Sequence, residues 1–273
     1  LKSLGFQTGP NLAAHWSENP ALQGLPVKMD NATYIGLSRQ MVLRKEMDII
    51  ANNIANLDTT GFKVESLLHK TDAQAPAMTL GGPKPVKFVS ADGVARDFGQ
   101  GALRQTGGEL DLAIDGQGFF RVQGLDGERF TRDGRFRTDE IGRLVTQGGQ
   151  PVMDGGGGEI TIDPEKGPVS IAKDGVVSQG DERIGKIGVF TFESLAALEK
   201  TGDNQYRNTS NLMAQPALEA SVRQGMLEGS NVQAILQITR MVEVSRAYES
   251  TAKMIDAESD LSRRSVERLG RVQ

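Results

Sequence analysis

The side chains that could do chemistry are few, and their spacing does not suit it. Of the two histidines, His15 and His69, neither has a second ligand at zinc spacing, and both read as surface residues. There is no cysteine, which excludes disulfides, thiolate metal sites and cysteine nucleophiles. Gly116-Gln117-Gly118 and Gly155–Gly158 have the glycine density of phosphate loops. Neither leads into a helix whose N-terminus would receive the anion, so both are expected to be turns. Asp111, Asp115 and Asp133 are the carboxylates that could pair for glycoside cleavage. All three sit in or beside Asp-Gly turns, where turn chemistry already accounts for them. No Gly-x-Ser-x-Gly elbow and no Ser-His-Asp set is present. The expectation is a protein with no catalytic, cofactor or metal site and no small-molecule substrate.

The polar residues that do stand out are amides. Asn52, Asn53 and Asn56 fall on the last turns of an amphipathic segment that stops at Thr60-Gly61-Phe62. One reading has them satisfying backbone groups at a helix end. The sharper one has them hydrogen-bonding across a helix–helix interface and fixing its register, as a buried Asn does in coiled coils.

These amides need elements to hold them. Over residues 30–57, Leu43, Met47, Ile50, Ile54 and Leu57 recur at intervals of four and three, with Ile35, Val42 and Ile49 as a neighbouring stripe. Arg39, Arg44, Lys45 and Glu46 occupy the other face. Residues 225–271 carry a second helical pattern, with one heptad series through Ala234, Met241, Tyr248, Ile255, Ser262 and Leu269. The other runs through Ile238, Ser245, Ala252, Ser259 and Val266, and Ile235 and Val242 widen the apolar face. Small residues at many of these positions allow close approach and give a weak seam. The predicted helix–helix assembly interface is Leu43, Met47, Ile50, Asn52, Asn53, Ile54 and Asn56 against Ile235, Ile238, Met241, Val242, Tyr248 and Ile255. Thr60, Gly61 and Phe62 form the turn by which the chain leaves the first helix.

Between the helices the pattern changes. Pro76, Pro83 and Pro85 with Gly81 and Gly82 predict a linker, with Val86–Val89 as one short strand. Short strands are expected at Leu110–Ile114, Phe119–Val122, Arg129–Thr131, Leu144–Thr146, Ile160–Ile162, Val169–Ile171 and Ile184–Phe192. Six Asp-Gly pairs, at 92, 115, 126, 133, 154 and 174, predict tight hairpin turns and an antiparallel meander. Ser194–Glu199 reads as a helical turn.

The fold class is therefore α+β: long N- and C-terminal helices forming a coiled-coil domain, with an inserted, mainly antiparallel β domain. The expected division is an irregular leader at 1–28, the N-terminal helix at 29–64, a linker or small irregular module at 65–90, the β domain at 91–215 and the C-terminal helix at 216–273. Met29 followed by Asp30-Asn31 resembles a natural start. Aromatic content of 5% predicts an aliphatic, thin core. A net charge of −4 argues against nucleic acid, and no apolar run approaches the roughly 20 residues of a membrane span. Helices with seams this weak are marginal alone, so the ends of a free monomer are expected to be largely unfolded and to order on assembly. A secreted carbohydrate-active or adhesive β protein is the competing class. The glycine-rich meander is its sole support.

Three collinear stretches resemble a known family. Leu37-Ser38-Arg39-Gln40, Ala51–Asn56 and Thr60-Gly61-Phe62-Lys63 are similar to the N-terminal signature of bacterial flagellar rod and hook proteins. In the middle, Gly101-Ala102-Leu103, Thr106-Gly107, Gly118-Phe119-Phe120, Thr131–Gly134 and Gly142–Val145 resemble the same family, as do Gln224–Val232 and Met241–Glu249 near the end. Within it, Met29-Asp30-Asn31 and the length counted from Met29 favour the proximal rod over the distal rod. The resemblance implies an axial structural protein with no cofactor. Its partners would be copies of itself, other proximal and distal rod proteins, and the flagellar export apparatus. It would pass unfolded through the flagellar type III system without a cleaved signal and assemble in the periplasm. The terminal helices would form the inner layer of a tube that carries torque from the membrane ring to the hook, and the β domain its outer layer.

Overall fold

The computed structural model describes residues 30–79, 82–210 and 213–270; the leader at 1–28 and Met29 lie outside the described residues. Helix α1 spans Asp30–Ala55 and helix α2 spans Ala234–Gly270. Between them the strands are β1 Glu65–Thr79, β2 Gly82–Arg96, β3 Leu103–Gln105, β4 Leu112–Asp115, β5 Phe119–Gly124 and β6 Gly127–Thr131. There follow β7 Phe136–Thr138, β8 Leu144–Thr146, β9 Val169–Ile171, β10 Val176–Gln179, β11 Glu182–Lys186 and β12 Val189–Thr191. The last are β13 Leu198–Gly202, β14 Gln205–Asn208, β15 Gln215–Pro216, β16 Ser221–Gln224 and β17 Met226–Glu228. Terminal helices around an inserted antiparallel β domain are thus the architecture, and α1 packs against α2.

The main sheet has the order β13-β14-β6-β5-β12-β15, all antiparallel. It is not a sequential meander, because β12 and β14 return to flank the β5–β6 hairpin. Strand β5 is covered on both sides. Consecutive side chains point to opposite faces, so Phe119 joins one core and Phe120 and Val122 the other. The larger core is aliphatic and includes Leu112, Ile114, Leu144, Val152, Ile160 and Ile187. The second is aromatic, against the expectation from composition. Phe119, Phe130, Phe190, Phe192 and Tyr206 are gathered there, with Phe130 and Phe192 edge-to-face at 4.7 Å. A low overall aromatic fraction says nothing about where the few rings go.

Several boundaries differ from expectation for local reasons. Residues 65–90, read as a linker or small irregular module with one short strand, form most of a long antiparallel ribbon in which β1 pairs with β2 as far as Arg96. Pro76 faces Pro85 and Met78 faces Pro83, so all three prolines fall on the same alternate class of pair. In a two-stranded ribbon that class can turn its N–H outward, where proline loses nothing. The segment 216–233, read as helix, instead supplies β16 and β17, which pair with β4 and β3. Apolar Met226 and Leu227 fit either period, and the positive φ of 72° at Gly225 decides for a turn. Ser194–Glu199 holds one 3-10 turn, Leu195–Ala197, and then becomes β13. Ile160–Ile162 makes only an isolated bridge, Thr161 to Arg143. No Asp of an Asp-Gly pair has a positive φ among the described residues. Among the described residues, the turn with two consecutive left-handed non-glycine residues is Asp203-Asn204, at 46° and 57°, joining β13 to β14.

Candidate functional site

The helices run antiparallel, since a Cβ at Gly36 would meet Ile255 while the Asn53 amide meets Gln237. Leu43, Ile50 and Val244 are buried between them, with Met47, Ile54, Met241, Ala247 and Tyr248 packed around. The series 241, 248, 255 lies where sequence periodicity placed it. The companion positions are Gln237 and Val244, one residue earlier than the predicted 238 and 245. Gln237 is polar, so a count of apolar positions passes over it. The predicted residues Ile235, Ile238 and Val242 do not enter this seam and remain exposed on α2.

The three asparagines divide between the two readings. Asn53 is buried. Its Nδ2 donates to the Glu65 carbonyl at 2.7 Å and to Gln237 Oε1 at 3.2 Å, and its Oδ1 accepts from the Glu65 N–H at 2.9 Å. One side chain therefore ties α1, the start of β1 and α2 together. Asn56 serves the helix end instead: its Nδ2 donates to the Asn52 carbonyl and its Oδ1 accepts from Thr59. Asn52 is exposed.

The exit turn leads directly into a buried charge cluster. Gly61 has φ of 68° and lies against the Arg132 backbone, where a Cβ would come within 2.5 Å of the carbonyl carbon. The Gly61 N–H donates to the Glu228 carbonyl at 2.8 Å. Phe62 is buried, with the Lys200 ammonium 4.4 Å above its ring. Lys63 and Glu228 are wholly buried, and Lys63 Nζ donates to Glu228 Oε1 at 2.5 Å and to the Gly99 carbonyl at 2.8 Å. Arg132 Nη1 donates to Glu228 Oε2 at 2.9 Å, and the Gly101 N–H donates to Oε1 at 2.8 Å. Arg132 Nη2 donates to the Gly116 carbonyl at 2.8 Å, leaving its buried Nε without a partner. Burial pushes the Lys63 ammonium below its ordinary value, and Glu228 only partly restores it. Beside the cluster, Asn231 accepts from the Val64 N–H and donates to the carbonyls of Asp97 and Gly99. The chain therefore leaves the helices at Thr60–Val64 and returns at Glu228–Asn231 through one bonded joint.

Sequence reasoning missed Lys63, Arg132, Glu228, Gln237 and Val244. Nothing in the type of a lone Lys or Glu marks it as buried, and these partners lie 165 positions apart. The Lys63 and Glu228 side chains are sealed from solvent, and among the described residues no group of His, Cys, Asp or Glu could hold a metal. Its chemistry is that of a fastening.

Three family models match the chain in order: flagella basal body rod protein over 34–63, flagellar hook protein FlgE/F/G D1 domain over 113–179, and flagellar basal body rod FlgEFG protein C-terminal over 223–268. The flagellar basal-body rod protein FlgF of Caulobacter vibrioides is 59% identical over 244 residues, covering 89% of this chain and all of the relative. The chain belongs to the flagellar basal-body rod protein family. FlgF of Mesorhizobium japonicum is 35% identical over 89% of the chain and 99% of its own length. FlgG of Bacillus subtilis is 33% identical over 85% and 97%. In rod-family terms, the joint spans the first and last matched stretches: Gly61–Lys63 closes one, and Glu228 lies in the other. The rod-family protein is structural, not an enzyme, and the carbohydrate-active reading is dropped.

Proposed function

We propose that this chain is a structural subunit of the proximal part of the flagellar basal-body rod, located in the periplasm. Its terminal helices join copies of itself and neighbouring rod proteins into the coiled-coil inner layer of a helical tube, and the β domain forms the outer layer. The tube carries torque from the membrane ring to the hook. The observation that carries the reading is the 59% identity to an FlgF protein along that relative's entire length. The 33% identity to a distal-type FlgG is the weaker match. Passage through the flagellar type III export apparatus, unfolded and without a cleaved signal, belongs to the same proposal. It is supported by a helix pair with little buried surface of its own and by a chain without cysteine.

A torque shaft needs its helical layer fixed to its outer layer. The joint at Lys63, Arg132 and Glu228 is suited to that, because it bonds both connecting strands to the β domain at one place. In-frame deletion of the gene with electron microscopy of basal bodies tests the reading. The expected result is loss of the rod beyond its base and loss of swimming. Motile cells with intact rods would overturn it.

A further inference from the structure

Among the apolar residues exposed on the helix pair, which include Leu236, Met254 and Leu261, two short stripes stand out by their spacing. On α1, Tyr34, Leu37 and Met41 recur at three and four and are 62%, 46% and 66% exposed. On α2, Ile235, Ile238 and Val242 recur the same way and are 83%, 54% and 44% exposed. Each stripe is more than about 100° round its helix from the α1–α2 seam, so neither can be covered within that seam. They also lie at opposite ends of the pair. With Gly36 against Ile255 and Asn53 against Gln237, Leu37 is level with about residue 254 and Ile238 with about residue 52. The stripes are then about 23 Å apart along the axis at 1.5 Å per residue.

We propose that these stripes are the two halves of one contact between successive copies of this chain, with the α1 stripe of one copy seated on the α2 stripe of the next. The proposal rests on the rod-subunit reading and specifies which surfaces meet. A two-fold contact either presses one stripe against itself or pairs the two stripes reciprocally, and in both cases it closes at two copies and cannot extend into a rod. A head-to-tail contact covers both with a single kind of interface, and a displaced, non-closing contact of that kind builds a helix. The neighbour's α1 meets α2 antiparallel, as α1 does within the chain, so the helices alternate round the layer. The size also fits repetition. Six side chains offering on the order of 100 Å² each total well below the about 1,200 Å² of a stable pairwise complex. One contact is too weak to hold a dimer in dilute solution, and the contact is secured only when each copy makes it twice.

The absence of cysteine allows a clean test. Leu37→Cys and Ile238→Cys, the middle residues of the two stripes and so opposite each other in the antiparallel contact, are introduced singly and together in cells, and purified basal bodies are oxidised and run on denaturing gels. The double variant is expected to give a covalent ladder, the two single variants expressed together a dimer, and each single variant alone only monomer. Dimers from either single variant alone would overturn the proposal in favour of a two-fold contact. Variants present in assembled rods of swimming cells with no crosslink would overturn it while leaving the rod reading intact. Absence of the protein from basal bodies that are themselves complete would overturn the rod reading. As a second measurement, Met41→Glu and Ile238→Glu, both at exposed sites, are expected to keep wild-type circular dichroism and abolish swimming. Unimpaired swimming would also overturn the proposal.

Discussion

Replacing Glu228 by Gln tests the joint most directly. The substitution keeps the side chain's size and removes one buried negative charge that two cations share, Lys63 at 2.5 Å and Arg132 at 2.9 Å. Those cations are 0% and 4% exposed, so water cannot take over the role of the carboxylate. A buried ion cluster stripped of one partner loses about 3–5 kcal/mol, most of it the cost of leaving charge unpaired. For a domain of this size that is on the order of a 10 °C fall in midpoint. Lys63→Met is the informative contrast. It removes the surplus cation and leaves Arg132 and Glu228 as a one-to-one pair, so its cost is that of hydrogen bonds, about 1–2 kcal/mol. Urea unfolding followed by tyrosine fluorescence measures both, Tyr206 being buried in the β domain. Glu228→Gln within about 1 kcal/mol of wild type, or Lys63→Met costing more than Glu228→Gln, would refute the reasoning.

Asn53→Leu is expected to cost about 1–3 kcal/mol, because it leaves the Glu65 N–H and the Gln237 amide without their partner. Asn52→Leu at an exposed position should be nearly neutral, and equal midpoints for the two would sink the distinction. Gly61→Ala combines a left-handed φ with a contact of 2.5 Å to backbone, so a loss above about 2 kcal/mol is expected in the same unfolding assay. Stability should also depend on alkaline pH in two directions. Lys63 holds its proton less tightly folded than unfolded, so its contribution to stability rises with pH up to its ordinary 10.5. Burial raises the Tyr206 phenol above its ordinary 10.0, so above that pH only the unfolded chain ionises there and stability falls. Denaturation midpoints from about pH 7 to about pH 11 should lose the rise in Lys63→Met and the fall in Tyr206→Phe.

What was legible in the sequence is what repeats. Leu43, Met47, Ile50 and Ile54 on one helix, and Met241 and Tyr248 on the other, could be found by counting fours and threes, and they meet. The second series on α2 was displaced by one residue because Gln237 occupies a seam position without being apolar. The ribbon was hidden by its prolines, which forbid a central strand but not the outward positions of a two-stranded one. The joint was the least legible part. It depends on Lys63, Arg132 and Glu228 converging from three distant stretches, and a charge's neighbours in sequence do not report its neighbours in space. Asn53 was found for its residue type, and only the structure separated it from Asn52 and Asn56.

The distribution of buried surface bears on how such a subunit would assemble. The β domain closes two cores of its own, one aliphatic and one aromatic. The helix pair closes only a small one, in which Leu43, Ile50 and Val244 are buried. Helices draw most of their stability from packing an apolar face, and here two outer stripes stay uncovered. In the proposed assembly, the β domain would hold its shape in a free subunit, while the helices would gain much of theirs from neighbours. The joint then has a specific task. It holds the ends of α1 and α2 at a fixed place on a finished domain, so that little is left to order when the next subunit arrives. Loosening the joint should therefore weaken assembly even where each helix stripe is intact.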